Sequence, residues 1–173
     1  MDYCNSFFKD LQYLLDHQKS RIFHFEVDFE FETNAESFEF SKKLEAVLAS
    51  RHRPLAVKFL RITVFDEEDV VGILKHLEPG SLEILHILNA KKEEPSRNMI
   101  FEKIRELEQF KKAREFETRL FLGAEPIRNF CHFERVDITV QGIQVEDVVF
   151  VKEVGFLVVS DTVFISLVWA GPA

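Results

Sequence analysis

Cysteine is scarce in this chain of 173 residues: Cys4 and Cys131 stand far apart, with no second cysteine or histidine at ligand spacing. That excludes the strong zinc signatures and leaves a reducing compartment, cytoplasm or nucleus, as the expected location. Glycine is sparse too. Gly72, Gly80, Gly123, Gly142, Gly155 and Gly171 are scattered singly, whereas phosphate loops, dinucleotide fingerprints and nucleophile elbows all need glycines at close spacing. Basic charge is in deficit, 22 Lys and Arg against 30 Asp and Glu for a net charge of −8. A nucleic-acid partner is therefore disfavoured, because neutralising phosphates needs a clustered basic surface. The short basic groups Arg51-His52-Arg53 and Lys111/Lys112/Arg114 read as a solvated turn and a helix end. The N-terminus has no apolar stretch of signal-peptide type, since Lys9, Asp10 and Asp16 interrupt it.

Catalytic signatures are equally thin. His17, His24, His52, His76, His86 and His132 form no H-E-x-x-H or comparable pair on one helix face. The acidic run Asp66-Glu67-Glu68-Asp69 has the composition of a cation site, but a helix start explains it with less. No cofactor, metal or catalytic residue is expected. The enzyme alternative rests on an active site assembled from distant residues and not detectable from sequence; convergent Asp, Glu or His side chains in a deep cleft would revive it.

Phenylalanine is what the chain does have: 19 Phe against one Trp and two Tyr supply large apolar volume without polar handles, which suits a packed interior. Length and composition fit one globular domain with a substantial core. Within it a spacing h-x-x-h-x-h recurs at Ile22/Phe25/Val27, Val57/Leu60/Ile62, Leu82/Leu85/Ile87, Ala113/Phe116/Thr118 and Phe133/Val136/Ile138. The pitch brackets that of leucine-rich repeats, roughly 20–29 residues, without keeping a strict period. Helical stretches separate the triplets. Expected helices span about Ser6 to Gln18, with Phe7, Leu11, Leu14 and Leu15 as apolar stripe, and about Ala35 to Ser50, with Phe40, Leu44, Val47 and Leu48. A third starts at the N-cap Asp66 and puts Val70, Ile73, Leu74 and Leu77 on one face until Pro79-Gly80 stops it. Others are expected from about Asn98 to Gln109, after Pro126, and from Glu146-Asp147. Phe23, Phe25, Val27, Phe29 and Phe31 alternate with polar residues as the buried side of a strand.

Alternating strands and helices imply parallel pairing and right-handed crossovers. The expected fold class is α/β: an open, curved, leucine-rich-repeat-like array of strand-helix units with a mainly parallel sheet, a closed or doubly wound sheet being the alternative. The residues between the inward positions then form an exposed face in three rows. These are His24/Phe59/Ile84/Glu115/Arg135, Glu26/Arg61/His86/Glu117/Asp137 and Asp28/Thr63/Leu88/Arg119/Thr139. Phe59, Ile84 and Leu88, with Arg61 and His86 beside them, are the candidate protein-binding residues, because exposed apolar groups ringed by charge are typical of binding hot spots. Burial of Phe59 and Ile84 by another helix is the competing expectation.

Three segments carry a family resemblance. Phe8-Lys9-Asp10-Leu11 with Leu14-Leu15 and His17-Gln18-Lys19-Ser20-Arg21, then Leu77-Glu78-Pro79-Gly80-Ser81-Leu82-Glu83, and Glu108-Gln109-Phe110-Lys111-Lys112-Ala113 resemble the FTH domain, or domain of unknown function thirty-eight, of nematode F-box A proteins. The last is similar to a Glu-Gln-Trp-Lys-x-Ala signature, with Phe110 where Trp is usual. The resemblance implies a protein-interaction module of the target-recognition kind. In that family an F-box that binds the Skp1 adaptor of a ubiquitin ligase precedes the domain, and the residues ahead of Ile22 leave no room for one. The partner is thus expected to be an unidentified protein, with neither a Skp1-type adaptor nor a membrane bound by this chain.

The resemblance is read over about Phe7 to Glu153, giving an FTH-like domain at 1–153, with 1–21 as N-terminal cap, and a divergent apolar tail at 154–173. The tail is expected to be less ordered than the core and to lower solubility. A structural or membrane-tethered protein held through this tail is the alternative function; as a membrane anchor the tail is short, and Asp161 near its middle costs roughly 2.5–3.5 kcal/mol on insertion scales. A sixth strand, from Val154, Leu157 and Val159, is the remaining alternative.

Overall fold

The computed structural model describes residues 3–29, 34–90, 99–122, 127–139, 146–147, 149–150, 156–161 and 164–169. Helix α1 (Tyr3–His17) is followed by β1 (Ile22–Asp28), α2 (Asn34–Ala49), β2 (Val57–Val64), α3 (Glu67–Leu74) and β3 (Ile84–Asn89). After a 3-10 turn at Ile104–Glu106 come α4 (Glu108–Lys111) and β4 (Glu115–Phe121). A second 3-10 turn, Ile127–Phe130, leads to β5 (Arg135–Thr139), and β6 (Phe156–Asp161) and β7 (Phe164–Trp169) follow. The strands form one sheet in the order β1-β2-β3-β4-β5-β7-β6, an open α/β array with β1 and β6 at its edges. The first five run parallel in chain order, as strand-helix units with short crossovers require.

Each h-x-x-h-x-h triplet occupies equivalent places in neighbouring strands. Phe25, Leu60, Leu85, Phe116 and Val136 are register partners, as are Val27, Ile62, Ile87 and Thr118. All but Phe25, which is half-buried, are buried, and apart from the hydroxyl-bearing Thr118 they form one apolar core with α3's Val70, Ile73 and Leu74. The two residues between the first pair of apolar positions make a lateral step. Glu83 N donates to Lys58 O at 2.8 Å, Arg114 N and Glu115 N both reach Glu83 O at 2.9 Å, and Glu134 N reaches Arg114 O at 2.7 Å. Side chains follow the same line with alternating charge: Lys58–Glu83 at 3.3 Å and Arg114–Glu134 at 2.6 Å. Such exposed pairs fix register more than they stabilise.

That step corrects the simple alternation expected for β1. Phe23 is 72% exposed, because it stands at the extra residue and projects to the edge, where Lys58 Nζ lies 5.3 Å from its ring centroid. Phe31 lies outside the described residues. The stripe of α1 is also rotated by one residue: Phe8 and Leu15 are buried, Phe8 against Phe40 at 5.0 Å, while Phe7 and Leu14 are exposed. The helix expected from Asn98 to Gln109 is instead broken. Leu107 is extended, φ −74° and ψ 133°, which separates the 3-10 turn from the single turn of α4; Asn98 itself lies outside the described residues. Helix α3 starts as expected, with a reciprocal capping box between Asp66 and Asp69.

Beyond β5 the direction changes. β7 pairs antiparallel with β5, Val136 opposite Leu167, and β6 pairs antiparallel with β7. β6 and β7 therefore extend the sheet as an antiparallel pair.

Candidate interaction face

Main-chain register decides which side chains meet on the side of the sheet away from the core. Phe59 pairs with His24 and Ile84, Ile84 with Glu115, and Glu115 with Arg135. One step on, Glu26, Arg61, His86, Glu117 and Asp137 line up in the same way. These are two of the three expected rows. The third is interrupted: Thr139 pairs with Phe121 and not with Arg119, because β4 shifts register after Glu117. Thr118 causes the shift locally, donating to Ile87 O at 2.8 Å and accepting from Leu120 N at 3.2 Å, so that a side chain takes over part of the ladder.

No helix of the described residues covers this face. Phe59, Ile84, His86 and Leu88 are half-buried and Arg61 is exposed, whereas Thr63 is buried. The shielding of Phe59 comes from its neighbours in the sheet. His24 stacks on its ring at 4.4 Å between centroids and His86 meets it edge-on at 4.7 Å. The apolar patch is therefore an aromatic ridge across β1, β2 and β3, with polar contacts on its flank: the Arg61–Glu26 ion pair at 3.4 Å and the His86 imidazole against the Glu117 carboxylate at 3.3 Å.

Beside the ridge, Ile84, His86, Glu115, Glu117, Arg135 and Asp137 surround an open depression of about 200 Å³. Burial pushes the His86 imidazole below its ordinary pKa; the Glu117 carboxylate opposes that and Arg61 adds to it, so the ring is neutral near pH 7. The lining holds no serine, threonine, cysteine, lysine or tyrosine that this imidazole would activate. Three carboxylates against one guanidinium suit the binding of a cation better than the making of a bond. Glu115, Glu117 and Asp137 follow from the row pattern once adjacent rows are read together; the depression itself needs three dimensions.

The acidic run after β2 is occupied by structure. Besides the Asp66/Asp69 box, Glu67 accepts from Lys103 N at 2.6 Å and Ile104 N at 3.0 Å, and Glu68 pairs with the Lys103 ammonium. Among the described residues no three His, Cys, Asp or Glu are grouped to hold a metal ion, and no helix is long and apolar enough to cross a membrane.

The three signature segments converge at the opposite end of the strands. Arg21 donates to Ser81 O and to Glu83 Oε1, at 2.8 Å for the latter, which ties the end of the first segment to the second. Gly80, at φ +85°, makes the turn that only glycine adopts without strain. Gln109 is buried and donates to Leu77 O at 2.8 Å, joining the second to the third. Phe110 fills a ring cluster with Phe101, Phe116, Phe130 and Phe133, and Ala113 is buried behind it. A family model for the FTH domain matches residues 38–166, well over half of the chain. The chain belongs to the FTH domain family. The match takes in the second and third FTH segments, leaves out Phe8 to Arg21, and runs past Glu153 into β7. No curated protein and no solved structure matches this FTH domain.

Proposed function

We propose that this FTH domain is a protein-interaction module, of the target-recognition kind its F-box A resemblance implies, and that it binds its partner on the open sheet face. The observation that carries the reading is the ridge of His24, Phe59 and His86. A sheet whose other side is packed on its core presents there a contiguous aromatic surface with Arg61, Glu26 and Glu117 alongside. Aromatic rings and arginine are the side chains that carry most binding energy at protein contacts, and here the stacking of His24 and His86 on Phe59 and the Arg61–Glu26 pair hold them in place before the partner arrives. A net charge of −8 favours protein over nucleic acid. The repeat-like build, each unit adding one strand to a continuous face, is the geometry leucine-rich repeats use for the same purpose.

Affinity purification with the 173-residue chain tests this. It is expected to capture a protein stoichiometrically, from cytoplasmic or nuclear extract, and not a Skp1-type adaptor. Capture of the adaptor alone would sink the assignment to recognition.

A further inference from the structure

The depression beside the aromatic ridge has a charge pattern that defines what it accepts. Its apolar lining is Ile84 with the rings of Phe59 and His86, and its acidic lining is Glu115 and Glu117 from β4 and Asp137 from β5. Among the described residues only Glu117 of the three carboxylates has close partners, the neutral His86 ring at 3.3 Å and the Arg119 guanidinium at 3.9 Å. Glu115 and Asp137, both half-buried, make no ion pair with any described residue. Arg135 is exposed and likewise makes no ion pair with any described residue. With His86 neutral, the depression carries two more negative than positive charges.

We infer that the depression of Ile84, Glu115, Glu117 and Asp137 seats an arginine side chain of the partner protein, an inference that rests on the sheet face being the contact surface. A guanidinium suits it in three respects. Its methylene stem lies along the apolar lining, its plane stacks on imidazole or phenyl, and its fork of donors meets carboxylates from two adjacent strands. About 200 Å³ accommodates one such side chain and not a folded segment. Half-burial of the carboxylates strengthens their attraction for a cation over that of freely solvated ones. An acidic partner residue would meet one guanidinium, Arg135, against three carboxylates.

The probe is N-acetyl-arginine methylamide, titrated into the full chain and followed by NMR at the Ile84 methyl groups and the Glu117 and Asp137 amides. Its neutral isostere, N-acetyl-citrulline methylamide, serves as control. The arginine compound is expected to give saturable shifts at these three residues and citrulline none, with affinity falling at least tenfold in Glu117→Gln/Asp137→Asn. Absence of saturable shifts, or equal shifts from both compounds, overturns the inference without any variant being needed. Partner capture separates it from the broader reading. If Phe59→Ala/Ile84→Ala abolishes capture while Glu117→Gln/Asp137→Asn leaves it unchanged, the face remains the contact surface and the arginine seat is wrong. If neither double variant changes capture, both are wrong.

Discussion

The side-chain amide of Gln109 donates to the main-chain carbonyl of Leu77 at 2.8 Å, joining the start of α4 to the turn that launches β3. Both groups are out of water, so replacing the amide leaves a buried carbonyl without its donor. Gln109→Ala is expected to destabilise the fold by about 1–3 kcal/mol, measured by urea unfolding with an unchanged slope. A loss under half of the lower figure would mean that water replaces the amide and that the bond is not structural.

Phe110 gives a second test at the same place. Its ring meets four other phenylalanines, so Phe110→Ala is expected to cost about 3–5 kcal/mol. Phe110→Trp, which restores the aromatic usual in this family's signature, is expected to cost far less. A tryptophan variant as unstable as the alanine one would show that the pocket is shaped to phenyl alone.

Stability should fall in mild acid. His76, His86 and His132 are all pushed below the ordinary histidine pKa, in each case chiefly by burial. The unfolded chain then binds protons that the folded chain refuses. Their neutral forms stabilise fully above about pH 6.5, and that contribution is lost as pH falls through the depressed folded values. Asp69, raised by burial and then by Asp66, acts in the opposite sense: it weakens the fold at neutral pH and is relieved as pH falls through its folded value. Urea midpoints on either side of pH 6.5, with NMR titration of each imidazole, check this. Midpoints that rise on entering the histidine range would contradict it.

The antiparallel pair of β6 and β7 supplies another prediction. Because β7 pairs along the whole of β5, a chain ending at Glu153 leaves β5 as an unpaired edge, and is expected to aggregate more readily than the full chain. That is opposite to what an ill-fitting apolar tail would do. Light scattering of the two chains at equal concentration distinguishes them, and a more soluble truncated chain would place the segment outside the fold.

Much of the face was legible in the sequence because strand period and the h-x-x-h-x-h step both project directly onto pleat geometry. Knowing that Leu60 and Leu85 point inward fixes that Arg61 and His86 point outward. What stayed hidden depends on forces the period does not encode. Phe23 reads as inward by alternation and is turned out by the extra residue of the step. The register of β4 past Glu117 depends on one hydroxyl, that of Thr118, and the break at Leu107 splits a continuous apolar periodicity. Strand direction in the tail is invisible to side-chain spacing, since parallel and antiparallel partners present the same alternation.

The central claim, that the partner sits on the open sheet face, has a rival surface within the same molecule: Phe7 and Leu14 leave exposed apolar groups on the helix layer. The decisive measurement is the dissociation constant of one captured partner, by calorimetry, for the wild-type chain, for Phe59→Ala/Ile84→Ala and for Phe7→Ala/Leu14→Ala, all with matched circular dichroism. Weakening of about a hundredfold or more, roughly 3 kcal/mol, is expected for the sheet-face pair, with little change for the helix-layer pair. Unchanged affinity in the sheet-face variant, with loss in the helix-layer one, would move the interface to the other side of the domain.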